Sequence, residues 1–363
     1  MSLSICGLGT ATPDLSIEQE DAAEIAKSFV YGDEENAQLL PKLYRLSLVR
    51  RRGSVLLEES KDGGPRQSFY PAATAVGDRG PTTEARMQRF TAEALPLALA
   101  ASRRALGQAD IAANEITHLI IVSCTGFEAP GVDIGMIRQL GLSPSVARLQ
   151  VGFMGCHGAI NGMRAAQAFV EADADARVLL CCVELCSLHY FYGWDPEKIV
   201  ANALFADGAA ALVARQTPDD ESADWSVAAT DSFLLPDTED DMGWRIGDYG
   251  FEMTLSARVP SLLDEHLRPW LVGWLKTQGL TIDGLKSWAI HPGGPRIIRS
   301  VSRALELPPE ATRVSNSVLT EHGNMSSATV LFVIEQLQRT AAELPCVSMA
   351  FGPGLIVEAA LLR

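Results

Sequence analysis

Two intervals recur along this chain. Ser123 and Cys156 are 33 residues apart, and so are His291 and Asn324. Cys156 and Val183 are 27 apart, and so are Asn324 and Phe351. The contexts match as well. Apolar runs end at Ile121-Val122-Ser123 and at Ala289-Ile290-His291, and Gly155-Cys156 and Gly323-Asn324 each read as a helix start. Strand-like runs close at Val183 and Phe351, and further apolar segments follow at 208–213 and 354–357. One matched interval is easily met by chance, but two in matching contexts point to a duplicated α/β unit. The break falls between 217 and 226, which gives halves of 1–220 and 221–363. Cys156 and Asn324 then hold equivalent places, and a pseudo-twofold packing of the halves brings them and His291 to one cleft.

The rest of the pattern agrees with an α/β fold. Leu119-Ile120-Ile121-Val122 and the run 178–183 are continuously apolar, which suits strands buried on both faces. Helices are expected over 83–106, behind the start signal Thr82-Thr83-Glu84, over 162–171 and over 325–339. Segment 53–81 is rich in Gly, Pro and Ser and reads as a long surface connection. The acidic stretches 219–221 and 237–241 read as solvated loops, and Asp207 as a turn former.

Charge narrows the function. With a net charge of -15, the chain's overall field repels nucleic acid and anionic membranes. No stretch is long and apolar enough to span a bilayer, and the first residues lack the basic start of a secretory signal. The seven cysteines are odd in number and lie mostly in apolar runs, which reads as free thiols in a reducing, cytoplasmic setting. Their spacing fits no metal site.

Three residues invite chemistry. Cys156 is flanked by Gly155 and Gly158 at a helix start, where the helix dipole lowers a thiol's pKa and favours the nucleophilic thiolate. A small buried thiol is the plainer reading, and it suffices for the other six cysteines. His291 ends an apolar run and precedes Pro292-Gly293-Gly294-Pro295, a stiff turn that holds it in place. A core histidine capping that turn is an equal reading. Asn324 is either a helix cap or an amide donor aimed at an oxyanion. His157 and His322 adjoin these positions, but the sequence does not orient them, and no Asp or Glu base can be placed nearby. Lys42, Arg45, Arg50, Arg51 and Arg52 gather positive charge in an acidic chain, as an anion site or an exposed helix end.

Taken together, Gly155-Cys156, Ala289-Ile290-His291-Pro292-Gly293-Gly294-Pro295, Gly323-Asn324-Met325-Ser326-Ser327-Ala328 and Phe351-Gly352-Pro353-Gly354 resemble the type III polyketide synthases. These are the chalcone synthase-like branch of the thiolase superfamily. The resemblance runs along nearly the whole chain, and Cys124-Thr125-Gly126 and the run 181–184 are similar to bacterial members. It implies a five-layered αβαβα thiolase fold, usually in a homodimer. It also implies that Cys156 takes a starter acyl group from an acyl-CoA. His291 and Asn324 would stabilise the enolate formed as malonyl-CoA loses CO2, and His291 would keep Cys156 as thiolate. Cycles of extension precede closure to a pyrone, a resorcinol or a similar aromatic product. CoA thioesters are substrates, and no metal or redox cofactor is implied.

Phe205 matches one gatekeeper of the family's cavity. Met253 stands where a second Phe is usual, Trp244 near a frequent Gly and His189 near a frequent Thr of plant members. Lys42 and Arg45 match its CoA-binding region. Three alternatives remain at this stage. A ketoacyl synthase III-type enzyme would use an acyl carrier protein and condense once. A hydroxymethylglutaryl-CoA synthase would need a glutamate base. A non-catalytic acyl-CoA-binding protein on a thiolase fold would have no use for all three polar residues.

Overall fold

The computed structural model describes residues 2–59, 66–217 and 225–363. The boundary drawn between 220 and 221, and the acidic stretch 219–221, lie outside them. The first half runs β1 (Ser2–Ala11), β2 (Ser16–Glu18), α1 (Gln19–Lys27), α2 (Glu34–Ala37), α3 (Leu40–Leu46), β3 (Arg51–Gly53), α4 (Thr83–Ala109), β4 (His118–Ser123), α5 (Val132–Leu140), β5 (Ala147–Gly152), α6 (Gly158–Ala172), β6 (Arg177–Leu185), α7 (Pro196–Leu204) and β7 (Asp207–Thr217). The second runs β8 (Ser226–Leu234), β9 (Met242–Gly247), β10 (Gly250–Leu255), α8 (Val259–Thr277), β11 (Ser287–Ile290), α9 (Pro295–Leu305), α10 (Arg313–His322), α11 (Thr329–Arg339), β12 (Cys346–Gly352) and β13 (Ile356–Leu362).

The repeat is visible in the strand order. The first half orders its strands β5-β4-β6-β7-β1, and the second β11-β12-β13-β8. Read from the joining edge, both place the first strand of the half next to its last. The two are continuous only where Leu3 pairs with Val227 and Ser4 with Ser226. In chain order α10 stands in the second half where β5 stands in the first, so that half has one strand fewer.

Alternation along the strands builds the layers. Leu119 and Ile121 of β4 face a core shared with α4, whereas Ile120 and Val122 face a core shared with α6 and α11. In β12, Val347, Met349 and Phe351 face α8 and α9, while Cys346 and Ala350 face that same middle core. Helices α6 and α11 each pack on strands of both halves, so they form a middle layer between two sheet halves, with helices again outside. A middle helix is pressed from two sides, which explains the small residues Ala159 and Ala166 of α6, both fully buried.

Local signals set the element ends. Thr82 caps α4 by accepting the Ala85 N–H at 3.3 Å. Asp207, expected as a turn residue, instead opens β7. Its carboxylate is buried and accepts the Ser187 N–H at 2.8 Å and the Val55 N–H at 2.9 Å.

Candidate active site

The loop that carries Cys156 is bent by force of geometry. After β5, Phe153 has φ 57° and Gly155 φ 74°, and a 3-10 turn over Gly155–His157 leads into α6. A Cβ on Gly155 would lie 2.4 Å from Pro353 Cδ, so both the backbone and the space demand glycine. The Gly155 N–H donates to Cys124 Sγ at 3.0 Å, which ties the turn to the end of β4.

The site opposes an isolated thiolate. Burial pushes the Cys156 thiol up to about 12, against the pull of hydrogen bonds from Ser326 and Asn324. A helix terminus supplies about 0.3–1 kcal/mol, less than one pKa unit, so it does not reverse a rise of this size. The expectation of a thiol lowered by its helix start is therefore corrected: desolvation wins. Burial likewise pushes His291 down to about 3, and a charge on the nearby His157 would push the same way. Each group alone is therefore neutral near pH 7.

His291 directly follows β11 and donates its N–H to Met349 O at 2.8 Å. It is buried, and neither ring nitrogen has a hydrogen-bond partner among the described residues. Buried unpartnered polar atoms are uncommon in folded proteins and here face no structural task. The turn behind it packs on Leu204, since a Cβ at Gly294 would lie 3.3 Å from Leu204 Cδ1.

Leu204 also positions Asn324. Its carbonyl accepts the Asn324 N–H at 2.8 Å, and Asn324 O accepts the Ala206 N–H at 2.9 Å. The Asn324 Oδ1 accepts from Ser326 N at 2.9 Å and from Thr329 Oγ1 at 3.4 Å. A backbone N–H can only donate, so the carboxamide oxygen is fixed there. The amide N–H2 is left to face Cys156. The Asn324 oxygen is thus bonded at the start of the 3-10 turn over Ser326–Ala328, and its nitrogen lies on the Cys156 side. Ser326, at φ 47°, holds a backbone conformation rare for its type beside the thiol.

Two cavities meet at this site. One, bounded by Cys156, Cys124, Ser326 and Pro353, spans about 420 Å³ counting the solvent at its mouth. The other, bounded by His189, Tyr190 and Lys198, spans about 580 Å³ counted the same way. Phe205, Met253, Trp244 and Cys186 line both. The hairpin β9–β10 supplies Trp244 and Met253 as cross-strand partners. Trp244 Nε1–H donates to Cys124 O at 2.7 Å. His189 Nδ1 accepts the Phe251 N–H at 2.9 Å, so its Nε2–H donates to Thr125 O at 2.7 Å. Burial pushes its pKa down to about 3, and its ring stacks on Phe251 at 4.2 Å. His189 is therefore a neutral strut of the cavity wall.

The basic cluster divides. Arg50 and Arg51 pair with Glu321. Arg52 is buried and donates to Phe205 O at 2.9 Å. Lys42 and Arg45 lie exposed on α3, one turn apart.

A carboxylate does stand near Cys156, contrary to expectation. Glu184, at the end of β6, is fully buried and accepts from Cys124 N at 2.9 Å, Thr125 Oγ1 at 2.8 Å and Ser327 Oγ at 2.5 Å. Burial raises its pKa while these donors oppose the rise. It clamps β4 of one half to the Asn324 loop of the other. Its signal in the sequence was a single charge closing an apolar run.

The chalcone and stilbene synthase N-terminal domain model matches residues 2–218, and the C-terminal domain model matches residues 226–363. The chain belongs to this family. It is 36% identical over 366 residues to the alpha-pyrone synthesis polyketide synthase-like Pks18 of Mycobacterium tuberculosis, covering 98% of this chain and 89% of that one. It is 35% identical to the 1,3,6,8-tetrahydroxynaphthalene synthase of Streptomyces peucetius subsp. caesius, covering 99% and 93%. Among solved structures, PKS-I from the brown alga Ectocarpus siliculosus superposes with TM-score 0.93 at 31% identity, covering 100% of this chain and 98% of that one. The fungal type III polyketide synthase ORAS gives TM-score 0.86 at 27% identity, covering 100% of both. The protein is an acyl-transferring enzyme of the type III polyketide synthase kind with the thiolase fold. Among its described residues, no helix is long and apolar enough to cross a membrane.

Proposed function

We propose that the enzyme loads an acyl group from an acyl-CoA starter onto Cys156 and extends it with malonyl-CoA before ring closure. The observations that carry this reading are the amide donor that faces the thiol and an imidazole left unpartnered. Asn324 has its amide oxygen committed and its N–H2 free, and His291 has both nitrogens unpartnered. In loading, Sγ attacks the thioester carbonyl while His291 takes its proton. The proton then leaves with the departing CoA sulfur. In extension, malonyl-CoA releases CO2 and its electron pair becomes an enolate, with negative charge on the thioester oxygen. Two preorganised donors in an apolar pocket stabilise that charge. The enolate carbon attacks the acyl-Cys156 carbonyl and expels the Cys156 thiolate. CO2 loss itself generates the carbanion, so Glu184, saturated by its donors, is not required as a base.

The four residues shared by the two cavities form the partition between the CoA approach and the growing chain, and Lys42 with Arg45 meets the CoA phosphates. No bound metal or redox group enters these steps. The working form is a homodimer in the cytoplasm. Strand β5 ends the sheet with an unpaired edge, which a second copy covers. Intact-mass measurement after mixing with an acyl-CoA tests the assignment. Acylation should map to Cys156 and vanish in Cys156→Ala. Acylation elsewhere would overturn it.

A further inference from the structure

Beyond the three assigned residues, a second buried imidazole stands beside the nucleophile. His157 follows Cys156 and is only 1% exposed. Its Nδ1 lies 2.7 Å from Asn161 Oδ1, one turn along α6. The Asn161 amide N–H2 donates to Glu358 Oε1 at 2.9 Å, so Asn161 offers His157 its oxygen and His157 carries its proton on Nδ1. Glu358 on β13 is bound in turn by Arg164 and by Ser232 Oγ at 2.6 Å. The other ring nitrogen, Nε2, has no partner among the described residues. It rests on the end of β12, where a Cβ on Gly352 would lie 2.5 Å away. His291 is bonded to Met349 of the same strand. The chain His157–Asn161–Glu358–Arg164 therefore runs from the nucleophile's helix in one half to the last strand of the other, beside the strand that holds His291.

We propose that His157 is a positioning residue for the Cys156–His291 pair: buried and held in one tautomer by Asn161, the neutral ring leaves His291 free to carry the proton taken from Cys156. The charged and titratable groups facing it are Glu358 on β13, Arg164 on α6, His291 after β11 and Cys156 beside it. Desolvation opposes a proton on His157 most strongly, Asn161 and Glu358 favour one, and Arg164 opposes it. When acid places a proton on His157, the added positive charge repels an imidazolium at His291. The His291 proton then returns to Sγ, and loading stops. This step rests on the roles given above to Cys156 and His291.

The test is the pH dependence of Cys156 alkylation by iodoacetamide, read by peptide mass, alongside acyl loading from pH 5 to 9. His157→Asn keeps a donor to Asn161 Oδ1 but removes the titration. The acid limb should move down by about one pH unit, the size expected for losing a nearby like charge. Glu358→Gln should move it down and Arg164→Gln should move it up. These two substitutions disturb the same hydrogen-bond chain, so a merely structural role predicts shifts in one direction. An unmoved limb in His157→Asn, or equal directions in the other two, would overturn the proposal. Cys156→Ala retaining acyl loading would instead sink the underlying assignment.

Discussion

Gly155→Ala is the substitution whose cost the structure defines most closely. At φ 74° an alanine carries about 1–2 kcal/mol of left-handed strain. Its methyl would also sit 2.4 Å from Pro353 Cδ, so one side must yield by about 1 Å to reach ordinary contact. Pro353 is held between β12 and β13, so the loop bearing Cys156 is the side that moves. A shift of that size away from attack geometry costs about 100-fold in rate. Single-turnover acylation, followed by intact mass after mixing with an acyl-CoA, should therefore slow by about 100-fold. Urea unfolding should lose about 2–5 kcal/mol from strain and overpacking together. Acylation within threefold of the parent enzyme would refute the claim that this turn sets the thiol's position. So would a loss of rate fully explained by unfolded protein.

In His291→Gln, nothing takes the Cys156 proton, and burial holds the thiol near 12. Its alkylation by iodoacetamide should rise about tenfold per pH unit from pH 7 to 10, because only the thiolate reacts; a plateau below pH 9 would contradict this. Asn324→Ala should slow malonyl-CoA decarboxylation, measured by CO2 release, about 100- to 1,000-fold. It should slow starter loading far less, and equal losses in both would count against its donor role. Trp244→Gly removes an indole from the wall shared by the two cavities, and product mass spectra should shift to longer starters or more extensions. An unchanged product profile would show that Trp244 does not limit the cavity.

Much of the architecture was legible because the repeat imposed it. The runs 119–122 and 178–183 are apolar at every position because alternate residues face two different cores, one outside the sheet and one against α6. The matched intervals of Cys156 and Asn324 reflect the pairing of α6 with α11 in the middle layer. The repeat does not predict its own exception, where α10 takes the place of a strand. Trp244 and Met253 lie on hairpin β9–β10, outside the matched intervals, so they were placed by family resemblance alone.

The site was legible in its residue types but less so in its electrostatics. A helix start suggests a lowered thiol pKa. Burial is a property of the packed halves, and here it outweighs the helix end. Both readings of Asn324 are compatible with the fold, since its oxygen is bonded by the turn that follows and its nitrogen is left toward Cys156. Glu184 and His157 escaped because Ser327, which binds Glu184, and Glu358, which His157 reaches through Asn161, belong to the opposite half.

The most direct test of the central claim is product analysis by mass spectrometry. The purified enzyme is incubated with malonyl-CoA and acyl-CoA starters of graded length, with Cys156→Ala in parallel. The account predicts multiply extended, cyclised products such as pyrones or resorcinols, formed without a carrier protein and absent in the variant. Only singly extended ketoacyl products, a requirement for an acyl carrier protein, or undiminished product from Cys156→Ala would contradict it.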